Sequence, residues 1–133
     1  MQARAATPDD LERVHALLIA AGVNVDRASL QRRLAESDGG IMLASSATIS
    51  WTMDGAALHL YDIAGAPEEL RVLVDLITAI AHEQLAVVLV ATLYAGDRIV
   101  AVLEASGFER DWEEADVANG HARTLLGYIR SAE

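Results

Sequence analysis

Apolar residues recur at helical spacing most clearly at Leu70, Leu73, Val74, Ile77, Ile80 and Ala81, while Arg71, Asp75, Thr78 and His82 fall on the opposite side. Intervals of three and four predict an amphipathic helix, and it opens at Pro67, whose fixed φ and missing N–H suit a first helical position. The run AVVLVATL at 86–93 is continuously apolar and of strand length, as expected of a strand buried on both faces. ALHLYDIA, ending at Ala64, reads as the strand before the helix. Strand, helix and strand in that order predict a right-handed parallel crossover.

The flanking pattern fills in the rest. A short strand near Ala3 to Ala6 leads to Thr7, a capping residue, with Pro8 next and Asp9 and Asp10 in a first turn where acids suit the helix dipole. Leu11, Val14, Leu18 and Ala21 form the inward stripe of that helix, and Gly22 ends it. Asp26 caps a second helix that turns Leu30 and Leu34 inward and leaves Arg27, Gln31 and Arg33 more exposed; SDGG at 37–40 stops it. IMLASS and ATISWTM read as a hairpin, and Asp54-Gly55 is a turn before the next strand. A helix near Arg98 to Ser106 ends at Gly107, and strands near Phe108 to Val117 and His121 to Arg130 flank the turn ANG. The order is β-α-α-β-β-β-α-β-α-β-β, an α/β (α+β) fold of about seven strands and about four helices in one domain spanning 1–133.

Composition narrows the function classes. The 133 residues are 53% hydrophobic but only 5% aromatic, so Ala, Val, Leu and Ile must fill the core. There is no Cys, which excludes thiol nucleophiles and thiolate metal sites and fits a reducing, cytoplasmic compartment. No apolar run is long enough for a signal peptide or a membrane span. All 10 basic residues are Arg against 20 acids, a net charge of −10, which disfavours nucleic acid and suits a cationic small molecule or a protein partner. Without Lys there is no Schiff-base chemistry.

Few residues carry obvious chemistry. His15, His59, His82 and His121 show no metal-ligand spacing, so no metal is expected, and Ser45, Ser46 and Ser50 lie in no nucleophile elbow. Asp62, near the end of its strand, shares a face with Leu58 and Leu60 by alternation, while His59 and Tyr61 point the other way as polar groups at a layer boundary. Trp112 stands among Asp111, Glu113, Glu114 and Asp116 on the penultimate strand. An aromatic amid acids can receive a cationic amine, and an edge strand kept soluble by charge has the same composition.

This order of elements, together with ARAATPDDLERVHALLIAAG, YDIAGAP and GDRIVAVLEASGFERDWE, resembles the GNAT acetyltransferase superfamily over nearly the whole chain. The resemblance implies a mixed sheet that splays between its fourth and fifth strands, with acetyl-CoA or another acyl-CoA in the gap. Ala64, Gly65 and Ala66 would then be the backbone that bonds the pantetheine, and Asp62 would sit at the acidic position that deprotonates an amine. Tyr61 would be a second catalytic candidate, and Trp112, Glu113 and Asp111 would border the acceptor.

Three family features are absent. The basic, glycine-bearing turn that cradles the diphosphate is replaced by direct entry into the helix through Glu68 and Glu69. Gly96 stands where the family has an Asn, and Leu103 stands where it has a Tyr acid. The expectation is therefore a GNAT-like scaffold with an eroded acyl-CoA site and no cofactor. It would bind a small ligand or a protein partner, or run another reaction in the cleft, and a homodimer is compatible with it. The alternative is a working N-acetyltransferase acting on a small cationic amine, with Arg71 or Arg98 as a relocated phosphate contact.

Overall fold

The computed structural model describes residues 2–95, 97–118 and 120–132, except the side chains of Val117, Ala118, His121, Ala122 and Arg123. Gly96, the Asn119 of the last turn and the side chain of His121 therefore lie outside the described residues.

Seven strands form one sheet in the order β1-β2-β3-β4-β5-β7-β6. They are β1 (Arg4–Ala5), β2 (Gly39–Leu43), β3 (Ala47–Asp54), β4 (Ala57–Gly65), β5 (Val88–Tyr94), β6 (Glu109–Ala118) and β7 (His121–Ser131). The helices are α1 (Leu11–Ala20), α2 (Arg27–Ala35), α3 (Pro67–Glu83) and α4 (Ile99–Ala105). Only β4 and β5 pair in parallel, as the crossover through α3 requires. This is the mixed α/β architecture and the element order that the sequence pattern implies.

α3 buries Leu70, Leu73, Val74, Ile77 and Ala81 against the main core, together with Leu58, Leu60, Leu89, Ala91, Leu103 and Phe108. Each large aliphatic side chain there contributes about 2 kcal/mol of burial before chain entropy is charged against it. α1 and α2 cover the opposite face over β2, β3 and β4, where Val14, Leu18, Val25, Leu30, Ile41, Leu43 and Ala64 form a second cluster.

The N-terminal junction departs from a simple capped helix. Pro8 to Asp10 form a 3₁₀ turn ahead of α1, and Asp10 is buried beneath Arg4, whose Nη1 and Nη2 donate to its two carboxylate oxygens at 2.7 and 2.9 Å. The Thr7 amide adds a third bond at 2.8 Å. Asp10 thus ties β1 to the helix layer, in addition to sitting where the dipole favours an acid.

β5 corrects one expectation. Its residues alternate rather than being buried on both faces: Leu89, Ala91 and Leu93 are buried, Val88, Val90 and Tyr94 are half-buried, and Thr92 is exposed. The reason is that α1 and α2 pack over the β2–β4 half of the sheet and leave the face of β5 beyond it less covered.

Candidate functional site

β4 and β5 pair from Ala57–Val88 to Leu60–Ala91, and beyond this point both strands continue without pairing to each other. A gap therefore opens at Tyr61. In the same place β4 makes a bulge against β3: Ser50 lies opposite Tyr61 and Thr48 opposite Ala64, so Ile49 faces two residues, Asp62 and Ile63. The extra residue is accommodated by Asp62 at φ 46, a left-handed conformation that is sterically costly for a residue with a Cβ.

The bulge overturns the alternation expected from the sequence. Leu58 and Leu60 face α3, and Ile63 rejoins them in the same cluster, whereas Ala64 belongs to the cluster under α1 and α2. Asp62 is turned to the α2 side with Tyr61, away from the face of Leu58 and Leu60. There its Oδ2 receives Arg33 Nη1 at 2.6 Å. The same guanidinium stands 4.8 Å from the centroid of the Tyr61 ring and 3.5 Å from Ser50 Oγ.

Arg33 was expected to be among the more exposed residues of its helix, yet its side chain is only 17% exposed and that of Asp62 24%. The signal for this was present in the spacing: Leu30, Arg33 and Leu34 lie at i, i+3 and i+4, so Arg33 belongs to the stripe facing the sheet. Burial raises the Tyr61 phenol above its ordinary value, an effect that the Arg33 charge opposes, so at neutral pH the ring carries its proton. As built, the Asp62 oxygen that would accept a proton from an amine already holds the chain's own arginine.

Past the bulge, a small cleft of about 70 Å³ lies between β4, α3 and α4. Ala64, Gly65, Leu70, Ile99 and Val102 give it apolar walls, and the exposed Asp97 and Arg98 also line it. Arg71 is exposed on α3 and does not line this cleft. Leu103, where the family resemblance places an acid, is fully buried in the main core.

The backbone of 64–66 is committed largely to the turn at 44–47. Gly65 pairs with Ala47 at φ +121, and a Cβ on it would lie 2.1 Å from the Ser46 carbonyl oxygen, so only glycine fits. The Ala66 amide donates to that carbonyl at 3.0 Å. Glu69 closes the same junction: it accepts from the Ser46 amide at 2.8 Å, Ser46 Oγ at 2.9 Å and Ser45 Oγ at 3.0 Å. Chiefly the Ser46 amide bond holds its carboxyl below the usual carboxylate range. Glu69, Ser45 and Ser46 together form a clasp between the β2–β3 turn and α3, which the sequence pattern does not reveal.

These contacts test whether an acyl-CoA fits. The apolar cleft suits an uncharged pantetheine-like chain. A diphosphate would depend on the free amides at the start of α3. Pro67 has no amide, the Ala66 amide is used, and Leu70 donates to Ala66 O at 2.9 Å, so helix geometry leaves only the amides of Glu68 and Glu69 without an intrahelical acceptor. Both of those residues carry carboxylates. At the start of α4, Asp97 Oδ1 accepts from the Ile99 amide at 3.0 Å, and Asp97 lines the cleft. Acidic side chains therefore stand at the starts of both α3 and α4.

Trp112, Asp111 and Glu113 are not brought to this site. They lie on β6, separated from β4 by β5 and β7, roughly 14 Å away by strand spacing. The Trp112 indole is laid across Gly127 of β7, where a Cβ would meet its Nε1; it remains 41% exposed. Asp111 is the extra residue of a bulge between Arg110 and Trp112, and Glu113 pairs with Arg110 at 3.5 Å. On the same side of the molecule, Tyr94 donates to Asp116 at 3.2 Å. His59 and His15 are half-buried and His82 is exposed. Among the described residues no group of three or more His, Cys, Asp or Glu could hold a metal ion, and no helix is long and apolar enough to cross a membrane.

No protein-family model and no curated protein matches the sequence. Solved structures do. The chain is similar to the ribosomal-protein-alanine N-acetyltransferase from Brucella melitensis, with a TM-score of 0.81 and 20% identity over 98% of this chain and 99% of that one. It is also similar to an N-acetyltransferase from Staphylococcus aureus Mu50, at TM-score 0.80 and 12% identity over 99% and 98%. A third similar structure, from Salmonella typhimurium and assigned as an acetyltransferase, was determined with its cofactor acetyl-CoA; its TM-score is 0.83 at 13% identity over 100% and 94%. The chain has the GNAT N-acetyltransferase fold.

Proposed function

We propose that this chain is a GNAT-fold protein that has given up anchoring acyl-CoA by its diphosphate and uses the cleft between β4, α3 and α4 to bind a small ligand. The observation that carries this reading is the Glu69 clasp. Where an anionic tail would need free amides, the chain supplies a proline, a committed Ala66 amide and a carboxylate fixed by three hydrogen bonds. The walls formed by Ala64, Leu70, Ile99 and Val102 favour an apolar or uncharged ligand segment, and the overall charge of −10 favours a ligand that is neutral or cationic.

A second reading, an N-acetyltransferase using acyl-CoA, rests on Arg98, the one arginine on the cleft wall among the described residues. Thermal-shift and calorimetric titration of the full chain with acetyl-CoA, CoA and pantetheine separates the two. A ligand at 100 times its Kd stabilises the fold by about 2.7 kcal/mol, a readily visible shift. The proposal expects none from either coenzyme at millimolar concentration. A saturable shift with acetyl-CoA that Arg98→Ala abolishes overturns it in favour of acyl transfer.

A further inference from the structure

A carboxylate beside an aromatic face is a constellation that holds guanidinium and ammonium groups: the carboxylate gives charge-assisted hydrogen bonds and the ring face gives cation–π attraction. Asp62 and Tyr61 form such a pair at the mouth of the gap between β4 and β5, directly past the last β4–β5 pair at Leu60. A regular strand would have sent the Asp62 carboxylate toward α3. The bulge, with its costly φ of 46, delivers it to the α2 side instead, beside Tyr61. Strain of this kind persists where surrounding contacts over-determine it, and here those contacts converge on Arg33.

The element that carries Arg33 is lightly held. α2 has nine residues, its fully buried side chain is Leu30, and its capping bond is the one from the Ser29 amide to Asp26 at 2.7 Å. Arg33 lies in its last turn, so the ion pair with Asp62 pins that end of the helix to the sheet. Helices with few buried contacts open at lower free energy than the core.

We propose that Arg33 is the internal occupant of a cation-binding site formed by Asp62 and Tyr61, and that a ligand bearing a guanidinium or ammonium group binds there by displacing it, releasing the last turn of α2 from β4. The site is self-blocked in the absence of such a ligand. Its affinity for an external cation is reduced by the fraction of molecules in which Arg33 is seated. This holds whether or not an acyl carrier enters the cleft, because the readout is a cation and no coenzyme is involved.

The test titrates the full chain with millimolar methylguanidinium chloride, matched against sodium chloride at equal ionic strength, for wild type, Arg33→Gln and Asp62→Asn. Chemical shifts and amide protection are followed by NMR. The expected result is weak saturable binding to wild type with loss of protection confined to α2, about tenfold tighter binding to Arg33→Gln, and no saturable binding to Asp62→Asn. Equal affinity of wild type and Arg33→Gln, or binding retained by Asp62→Asn, overturns the proposal. Should Arg33→Gln fail to fold, wild type decides alone. Loss of α2 protection in methylguanidinium and not in sodium chloride, with α3 unchanged, supports the latch; identical protection in the two salts overturns it.

Discussion

Gly65→Ala is the perturbation that probes the site's foundation most directly. At φ +121 the residue occupies backbone space that is essentially restricted to glycine, and placing alanine there costs about 2 kcal/mol in conformational strain. The new Cβ would also lie 2.1 Å from Ser46 O, 2.4 Å from Ala47 Cα and 2.8 Å from Ala47 Cβ. Two of these are backbone atoms that no rotamer change can move, so the overlap adds about 1 to 3 kcal/mol. A total of about 3 to 5 kcal/mol lowers Tm by roughly 10 to 18 °C for a domain of this size. Gly55→Ala is the built-in control, because Gly55 has φ +62 but nothing within 4 Å of an added Cβ; it should cost about 1 kcal/mol from conformation alone. Urea and thermal melts of the two variants give the steric part as the difference between them beyond about 1 kcal/mol, the excess conformational cost at Gly65. If Gly65→Ala is no more destabilising than Gly55→Ala, then β4 does not approach the 45–47 turn this closely. The Ala66 amide would then be free, and the case against a diphosphate cradle would fail with it.

Two further outcomes follow from contacts elsewhere. The hydrogen bonds from Arg4, followed by that from the Thr7 amide, hold the Asp10 carboxyl well below its usual range. Its unfolded value is about 3.9, so the stabilisation is complete above that pH and is lost as pH falls toward the folded value. Asp10→Asn should therefore lower the urea midpoint at pH 7, with the deficit shrinking progressively as pH falls below about 4; a deficit that stays constant down to about pH 2 would refute the linkage. Leu85 is 85% exposed at φ 60, so it bears left-handed strain without burial in return. Leu85→Asn should raise stability by roughly 0.5 to 1 kcal/mol, since Asn tolerates this conformation, and a melt showing no gain would refute that account.

The elements were legible in the sequence because their signals are local and repeated. The 3- and 4-residue spacing from Leu70 to Ala81, Pro67 at the helix start, Gly107 at a helix end and Asp54-Gly55 at a turn each act within one or two turns of chain. The order of strands and helices follows from them. The burial of β5 on one face only was not legible, because it depends on how far α1 and α2 reach across the sheet. The site was legible in part: the gap follows from the fold, and the direct entry into α3 was visible as Pro67-Glu68-Glu69. What the sequence hid was the bulge. One inserted residue in β4 moves Asp62 to the opposite face, and period-2 reasoning has no means of registering it.

The hidden feature and the visible one act on opposite ends of the same gap. At the end near α3, the Glu69 clasp takes the turn of 44–47 and closes it onto the start of α3. At the end near α2, the bulge takes Arg33 and closes it onto Asp62. Both closures are intramolecular substitutes for a ligand group: a carboxylate stands where an anion would need donors, and a guanidinium stands where a cation would need an acceptor. They differ in strength of attachment. Glu69 sits on the 17-residue helix α3, whose buried face anchors it to the main core, whereas Arg33 sits near the end of a nine-residue helix with one fully buried side chain. Opening should therefore occur on the α2 side, and on the proposed reading a cation is the ligand admitted there.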